Sequence, residues 1–166
     1  MKKFKNFLNE VIDIDRYYDY ESVEIIDGED VDHNGDKLTT HTHIYKFSSP
    51  HDDYYLEITW IEEYGDYFTA DYQDSDSYLK NEDGLFDRTY KDTGNHDAIK
   101  IISTVFKIIK DFYENNDNLH VFGFNVKDIK RLKIYKYVIE KIFPSWKYSE
   151  EDSYDESETR HIYYKF

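Results

Sequence analysis

The interval between apolar residues changes once along this chain, and that change limits the folds open to it. In the first half, apolar positions recur at every second residue. Across 54–60, Tyr54, Leu56, Ile58 and Trp60 alternate with Tyr55, Glu57 and Thr59, the pattern of a strand with one face buried. YFTADYQ at 67–73 repeats the pattern after an EEYGD turn. THTHIYKF at 40–47 precedes it, and VEII at 23–26 opens the series, with Gly35 in the intervening HNGD turn. Such strands in short-turn succession read as an antiparallel meander. Residues 74–93 are polar and rich in turn formers apart from Leu79, Leu85 and Phe86, and read as a connection carrying a short strand or turn.

After Gly94 the interval lengthens. Ile101, Ile102, Val105, Phe106, Ile108, Ile109 and Phe112 recur at three and four residues, which predicts a helix over about 98–113 with a face broad enough to cover a sheet. ENNDN ends it, and LHVFGFNV at 119–126 reads as a central strand because it is apolar almost throughout. Asp128 is a plausible N-cap for a second helix, which carries Leu132, Tyr135, Val138 or Ile139, and Ile142 on one stripe until Pro144 stops it. Residues 146–148 and 161–166 complete the series as two last strands joined by the acidic linker SEEDSYDESETR. The expected fold is α+β: an antiparallel-rich mixed sheet packed by two main helices, plus a short N-terminal helix. Its predicted core sets Ile102, Val105, Phe106, Ile109, Leu132, Tyr135 and Val138 against a sheet containing Leu56, Ile58, Phe122 and Phe124.

Composition narrows the function classes. A chain of 166 residues is one ordinary domain, and its 18 Tyr and 11 Phe can build a core from rings. The absence of Cys excludes disulfides and thiolate metal sites. No apolar run reaches the ~18 residues of a membrane span, and the N-terminus has no secretory apolar region. The expected location is therefore the cytoplasm or the inside of a particle. With 36 acidic and 21 basic residues the net charge is -15, which opposes direct binding to nucleic acid or to an anionic membrane. The acids concentrate in 13–97 and 150–158, and a basic stretch including Lys127, Lys130, Arg131, Lys133 and Lys136 lies between them. That stretch reads either as a solvated face or as a docking patch for a protein partner.

Residues with chemical potential are scattered. His41 and His43 share a strand face as a metal pair would, with His33 and His51 nearby in sequence, but a zinc site needs at least a third ligand. They read as satisfied or exposed strand histidines. His96 beside Asp92 and Asp97 forms a carboxylate–imidazole grouping without a nucleophile. The pairs Asp52 with Asp53 and Asp74 with Asp76 lack the spacing of a calcium loop. G-x-S-x-G, P-loop and H-E-x-x-H elements are missing. No catalytic, cofactor-binding or metal-ligating residue is assigned.

Two resemblances add to this reading. The order meander, helix, strand, helix, hairpin resembles the GNAT acetyltransferase fold, with Asn125 ending the strand and Arg131 and Tyr135 matching an R-x-x-x-Y element in the helix RLKIYKYVIEKIF. Enzymes of that fold hold the CoA pyrophosphate on a Gln/Arg-x-x-Gly-x-Gly/Ala loop at a helix N-terminus. Here DTGNHDAIK keeps Gly94, places His96 or Asp97 at the second glycine, and sets Asp92 and Asp97 where phosphate would be repelled. The resemblance thus implies the fold and departs from it at the cofactor loop.

The chain is also similar, over nearly its full length, to small proteins of large contractile-tailed bacteriophages. Thr93, Gly94, Thr104, Val105, Ile108, Ile109, Asp111, Phe112, Arg131, Lys133, Ile134 and Tyr135 carry that likeness. MKKFKNFLNE resembles the capsid-targeting peptides of internal head proteins, whose protease cuts after Leu/Ile-x-Glu. Leu8 and Glu10 would supply the site and Val11 the new N-terminus, leaving 1–10 as an amphipathic address and 11–166 as the domain. A first helix that packs on the domain accounts for the same residues. The likeness implies a non-catalytic phage protein acting through protein–protein contacts, as a virion or internal head component. An acidic inhibitor of a host defence enzyme that imitates nucleic acid, and a GNAT-type acetyltransferase, are the alternatives.

Overall fold

A computed structural model of the chain describes residues 15–32, 34–74, 97–125, 129–152 and 159–164. The elements run β1 (Tyr20–Val31), β2 (Lys37–Ser48), β3 (Asp53–Ile61), a 3-10 turn (Glu62–Tyr64), β4 (Tyr67–Asp74), α1 (Asp97–Glu114), β5 (Val121–Asn125), α2 (Ile129–Ile142), β6 (Lys147–Asp152) and β7 (Thr159–Tyr164). Together the strands form one seven-stranded sheet in the order β1-β2-β3-β4-β5-β7-β6. Among the described strands only the β4–β5 step is parallel. It is also the one strand-to-strand connection that contains α1, as a parallel crossover requires. The protein is α+β with a mixed sheet and two described main helices, as the change of period predicts.

Local chemistry explains the joints. Between β1 and β2 the Asp32 carboxylate accepts the N–H groups of Asn34 and Asp36, and Gly35 takes a φ of 88°, a conformation that side chains disfavour. The hydrogen bond from Asp36 N–H, more than any other contact, holds the Asp32 carboxyl below its usual range. At the parallel step, Gly123 on β5 lies under the Tyr67 ring of β4. A Cβ there would stand 2.2 Å from the tyrosine oxygen, so only glycine permits the approach.

The core is built on one row of rings. In register across the sheet stand His41, Trp60, Phe68, Phe122, Tyr163 and Tyr148, on β2, β3, β4, β5, β7 and β6. Ring centres are 4.9 Å apart for His41–Trp60 and 5.1 Å for both Phe68–Phe122 and Tyr148–Tyr163. α1 lays Ile102, Val105, Phe106, Ile109 and Phe112 over this face, and α2 adds Tyr135, Val138 and Ile139, all buried. Leu56, Ile58, Phe122 and Phe124 are buried beneath them as predicted. Leu132 differs, because it is only partly buried at the margin of the cluster.

The chain entering β1 is tied to α1. Tyr18 N–H donates to Thr104 Oγ1 at 2.9 Å, its ring stacks on Phe47, and Lys100 Nζ sits 3.9 Å from the ring centre. The Tyr20 hydroxyl donates to the Asp111 carboxylate, which also pairs with Lys107. The predicted N-terminal helix and most of the 74–93 connection lie outside the described residues.

Three expectations need correction. β1 extends over Tyr20–Val31 rather than 23–26, and much of the acidic linker is strand, since β6 continues to Asp152 and β7 begins at Thr159. Glu57, on the face of β3 assigned to solvent, is partly buried between Ile44 and Asp71 in register, and burial raises its carboxyl above the usual range. Among the described residues, no helix is long and apolar enough to cross a membrane.

Candidate protein-interaction surface

Among the described residues aliphatic side chains outside β1 are buried or partly buried, and β1 departs from this. Val23, Ile25, Ile26 and Val31 are 45%, 60%, 45% and 59% exposed. The other exposed large apolar residues among those described are Tyr17 and Tyr64. Among the described residues β1 is also an edge strand, paired to β2 on one flank only, and an edge presents a row of N–H and C=O groups to any strand that reaches it. A register shift between Ser22 and Glu24 bulges the strand at Val23. From the Glu24–Ile44 pair to the Val31–Lys37 pair the register is unbroken.

Residues directly opposite one another share a sheet face, so the register sorts the two faces of β1. Ile25 stands opposite His43 and Asp27 opposite His41, on the face that carries the helices. Glu24, Ile26, Gly28 and Asp30 stand opposite Ile44, Thr42, Thr40 and Leu38, on the other face. Both faces of the strand therefore mix aliphatic and acidic side chains.

The carboxylates differ in what they meet. Asp27 Oδ1 lies 2.6 Å from His41 Nδ1, and Glu62 Oε1 lies 3.0 Å from His41 Nε2. The imidazole thus bridges β1 to the turn after β3, and the bond to Asp27 followed by that to Glu62 raises its pKa. Glu29 pairs with Lys37 at 3.0 Å. Glu21 and Glu24 meet no cation at ion-pair distance among the described residues, and Asp30 accepts the Val31 N–H.

The predicted histidine pair does share a face, but the two rings do different things. His43 packs 5.2 Å from Trp60 and 5.4 Å from Phe112, and burial lowers its pKa. Among the described residues, no grouping of His, Asp and Glu could hold a metal ion. Asp52 and Asp53 serve the β2–β3 turn: Asp53 accepts from Ser48 Oγ at 2.5 Å and pairs with Lys46 at 2.7 Å. His51 is exposed.

The basic stretch is brought together only in part. Lys130, Arg131, Lys133 and Lys136 all fall on α2. Lys133 is exposed, whereas Lys136 is turned onto the Tyr148 ring, its Nζ 3.5 Å from the centre, a cation–π contact. Lys127 lies outside the described residues, as do Leu8, Glu10, Val11, His33, Asp76, Asp92 and His96.

Sequence reasoning missed β1 as a surface because a strand that is wet on both faces shows no alternation. Its legible signal was aliphatic residues set among acids, in SVEIIDGEDV.

Residues 66–151, just over half of the chain, match the model of a family described as a family of unknown function, DUF6934. The matched segment runs from just before β4 into β6, and β1 lies outside it. No curated protein matches, and no solved structure matches.

Proposed function

We propose, for a chain that belongs to the DUF6934 family, a non-catalytic role in a bacteriophage: a GNAT-like domain that acts through protein–protein contacts as a virion or internal head component. The observation that carries the contact role is β1, an edge strand holding four exposed aliphatic side chains. Exposed apolar surface of this kind marks interaction sites when it is contiguous. The GNAT-like reading is supported by the sheet order and by the succession of antiparallel meander, helix, parallel strand, helix and hairpin.

Non-catalytic use is favoured by how the strand histidines are employed. Both ring nitrogens of His41 are taken up by carboxylates, and His43 is held among rings. The acidic flanks of Gly94 in DTGNHDAIK point the same way for CoA, because carboxylates at a helix start oppose phosphate. The corresponding expectation for location is the host cytoplasm or the phage particle.

A second reading is favoured by one feature. Glu21, Glu24, Asp27, Glu29 and Asp30 line a single strand, a linear array of carboxylates that suits an inhibitor of a host defence enzyme imitating nucleic acid. Mass spectrometry of purified particles separates the two. Recovery at a defined copy number supports the virion role. Absence from particles, with the protein abundant early in infected cells, overturns that role in favour of the inhibitor.

A further inference from the structure

We propose that the outer edge of β1, from Glu24 to Val31, receives an extended basic segment of a partner protein as an eighth strand of the sheet. This rests on the protein-contact reading above and names the partner's chemistry. The bulge at Val23 ends the regular edge on one side and the Asp32 turn ends it on the other. The straight part is eight residues from Glu24 to Val31, about 26 Å at ~3.3 Å per residue.

Side-chain order sets what fits. On the face away from the helices stand Glu24, Ile26, Gly28 and Asp30. An antiparallel strand meeting them gains from cations opposite Glu24 and Asp30, an aliphatic residue opposite Ile26, and a large one over Gly28, which has no side chain of its own. On the helix face, Ile25 and Val31 call for aliphatic partners, while Asp27 and Glu29 are already paired with His41 and Lys37. The matching segment therefore carries two cations six residues apart with aliphatic residues between them.

A second copy of this chain fits poorly. Two β1 strands paired antiparallel about Asp27, near the middle of the straight segment, set Asp27 against its own copy and Glu24 against Asp30. Pairing about Ile26 sets Ile25 against Asp27. Like charges or buried carboxylates result either way, on a chain whose net charge is already -15.

The probe is the peptide Val-Lys-Thr-Leu-Thr-Val-Ile-Lys, titrated to millimolar concentration against the full chain. Controls are a scrambled version of equal charge, a version with both Lys replaced by Glu, and one N-methylated at alternate residues. Amide hydrogen exchange reads the site. The expected result is at least tenfold tighter binding than every control, with new protection confined to β1. The charge-reversed variant E24K/D30K, whose fold is checked by circular dichroism, should lose at least tenfold for the Lys peptide and prefer the Glu peptide. Equal binding by the scrambled or N-methylated peptide overturns strand addition, and so does no binding at all. Wild-type dimers in sedimentation that E24K/D30K disperses would make a second copy the occupant and overturn the proposal. If the chain stays in purified particles when E24K/D30K is introduced, the edge is refuted while the protein-contact role stands.

Discussion

Gly123→Ala tests the joint on which the topology turns. The parallel ladder between β4 and β5 is short, from the Tyr67–Val121 pair to the Thr69–Gly123 pair. At its end, an alanine Cβ would stand 2.2 Å from the Tyr67 oxygen and 2.7 Å from two ring carbons. Contact distances between such atoms are about 3.5–4.0 Å, so the ring must move by about 1 Å or the strands must part. Overpacking of this size costs about 1–3 kcal/mol. Replacing glycine also restricts the unfolded chain, which returns about 0.4–1 kcal/mol. The net expectation is a loss of about 1–2 kcal/mol, or about 2–8 °C in Tm for a domain of this length. Urea unfolding of Gly123→Ala, Tyr67→Leu and the double variant gives the coupling directly. In the Tyr67→Leu background the alanine should cost less than half as much. Equal cost in both backgrounds, or a Gly123→Ala protein as stable as wild type, would refute the close approach.

The other consequences are simpler. Ile109→Ala, at a fully buried position on α1 over the sheet, should cost about 2–5 kcal/mol in urea unfolding through lost transfer energy and a cavity; a loss under 1 kcal/mol would mean that α1 does not cover the sheet. By NMR, the His41 ring should titrate above its ordinary 6.5 and fall toward it in Asp27→Asn, while His43 titrates below 6.5. Because the folded value is raised, the stability that His41 adds is fully present below pH 6.5 and is lost as pH rises through the folded value; His43 has the opposite sign, and its penalty grows as pH falls. Removal of residues 1–10 should leave Tm nearly unchanged if that segment is an address, because an address that a protease must reach packs little against the domain. A fall of several degrees would show that Phe4, Phe7 or Leu8 packs into the domain.

What the sequence made legible follows from where burial is one-sided. β2, β3 and β4 were readable because Tyr54, Leu56, Ile58 and Phe68 face the helices while their neighbours do not, and α1 was readable because its apolar face recurs at helical spacing. β1 was underestimated because an edge strand wet on both faces obeys no period, so only Val23–Ile26 of it read as strand. The β6–β7 hairpin was shortened for a related reason, since Glu150, Glu151 and Asp152 are acids in a strand at the opposite edge of the sheet. Glu57 was placed on a wet face by alternation, yet what partly buries it is tertiary. The His41 bridge depends on register between strands, which brings Asp27 to it from β1 and which no local pattern states.

The proposed contact of β1 with a protein partner is open to a direct test. A photo-activated crosslinking residue placed at position 25, and separately at position 133 on the exposed part of α2, tests it in purified particles and in infected cells. The expected result is one discrete protein crosslinked from position 25, with a basic extended segment at the joined site, and no product from position 133. A product from position 133 alone, or none from either position, would contradict it.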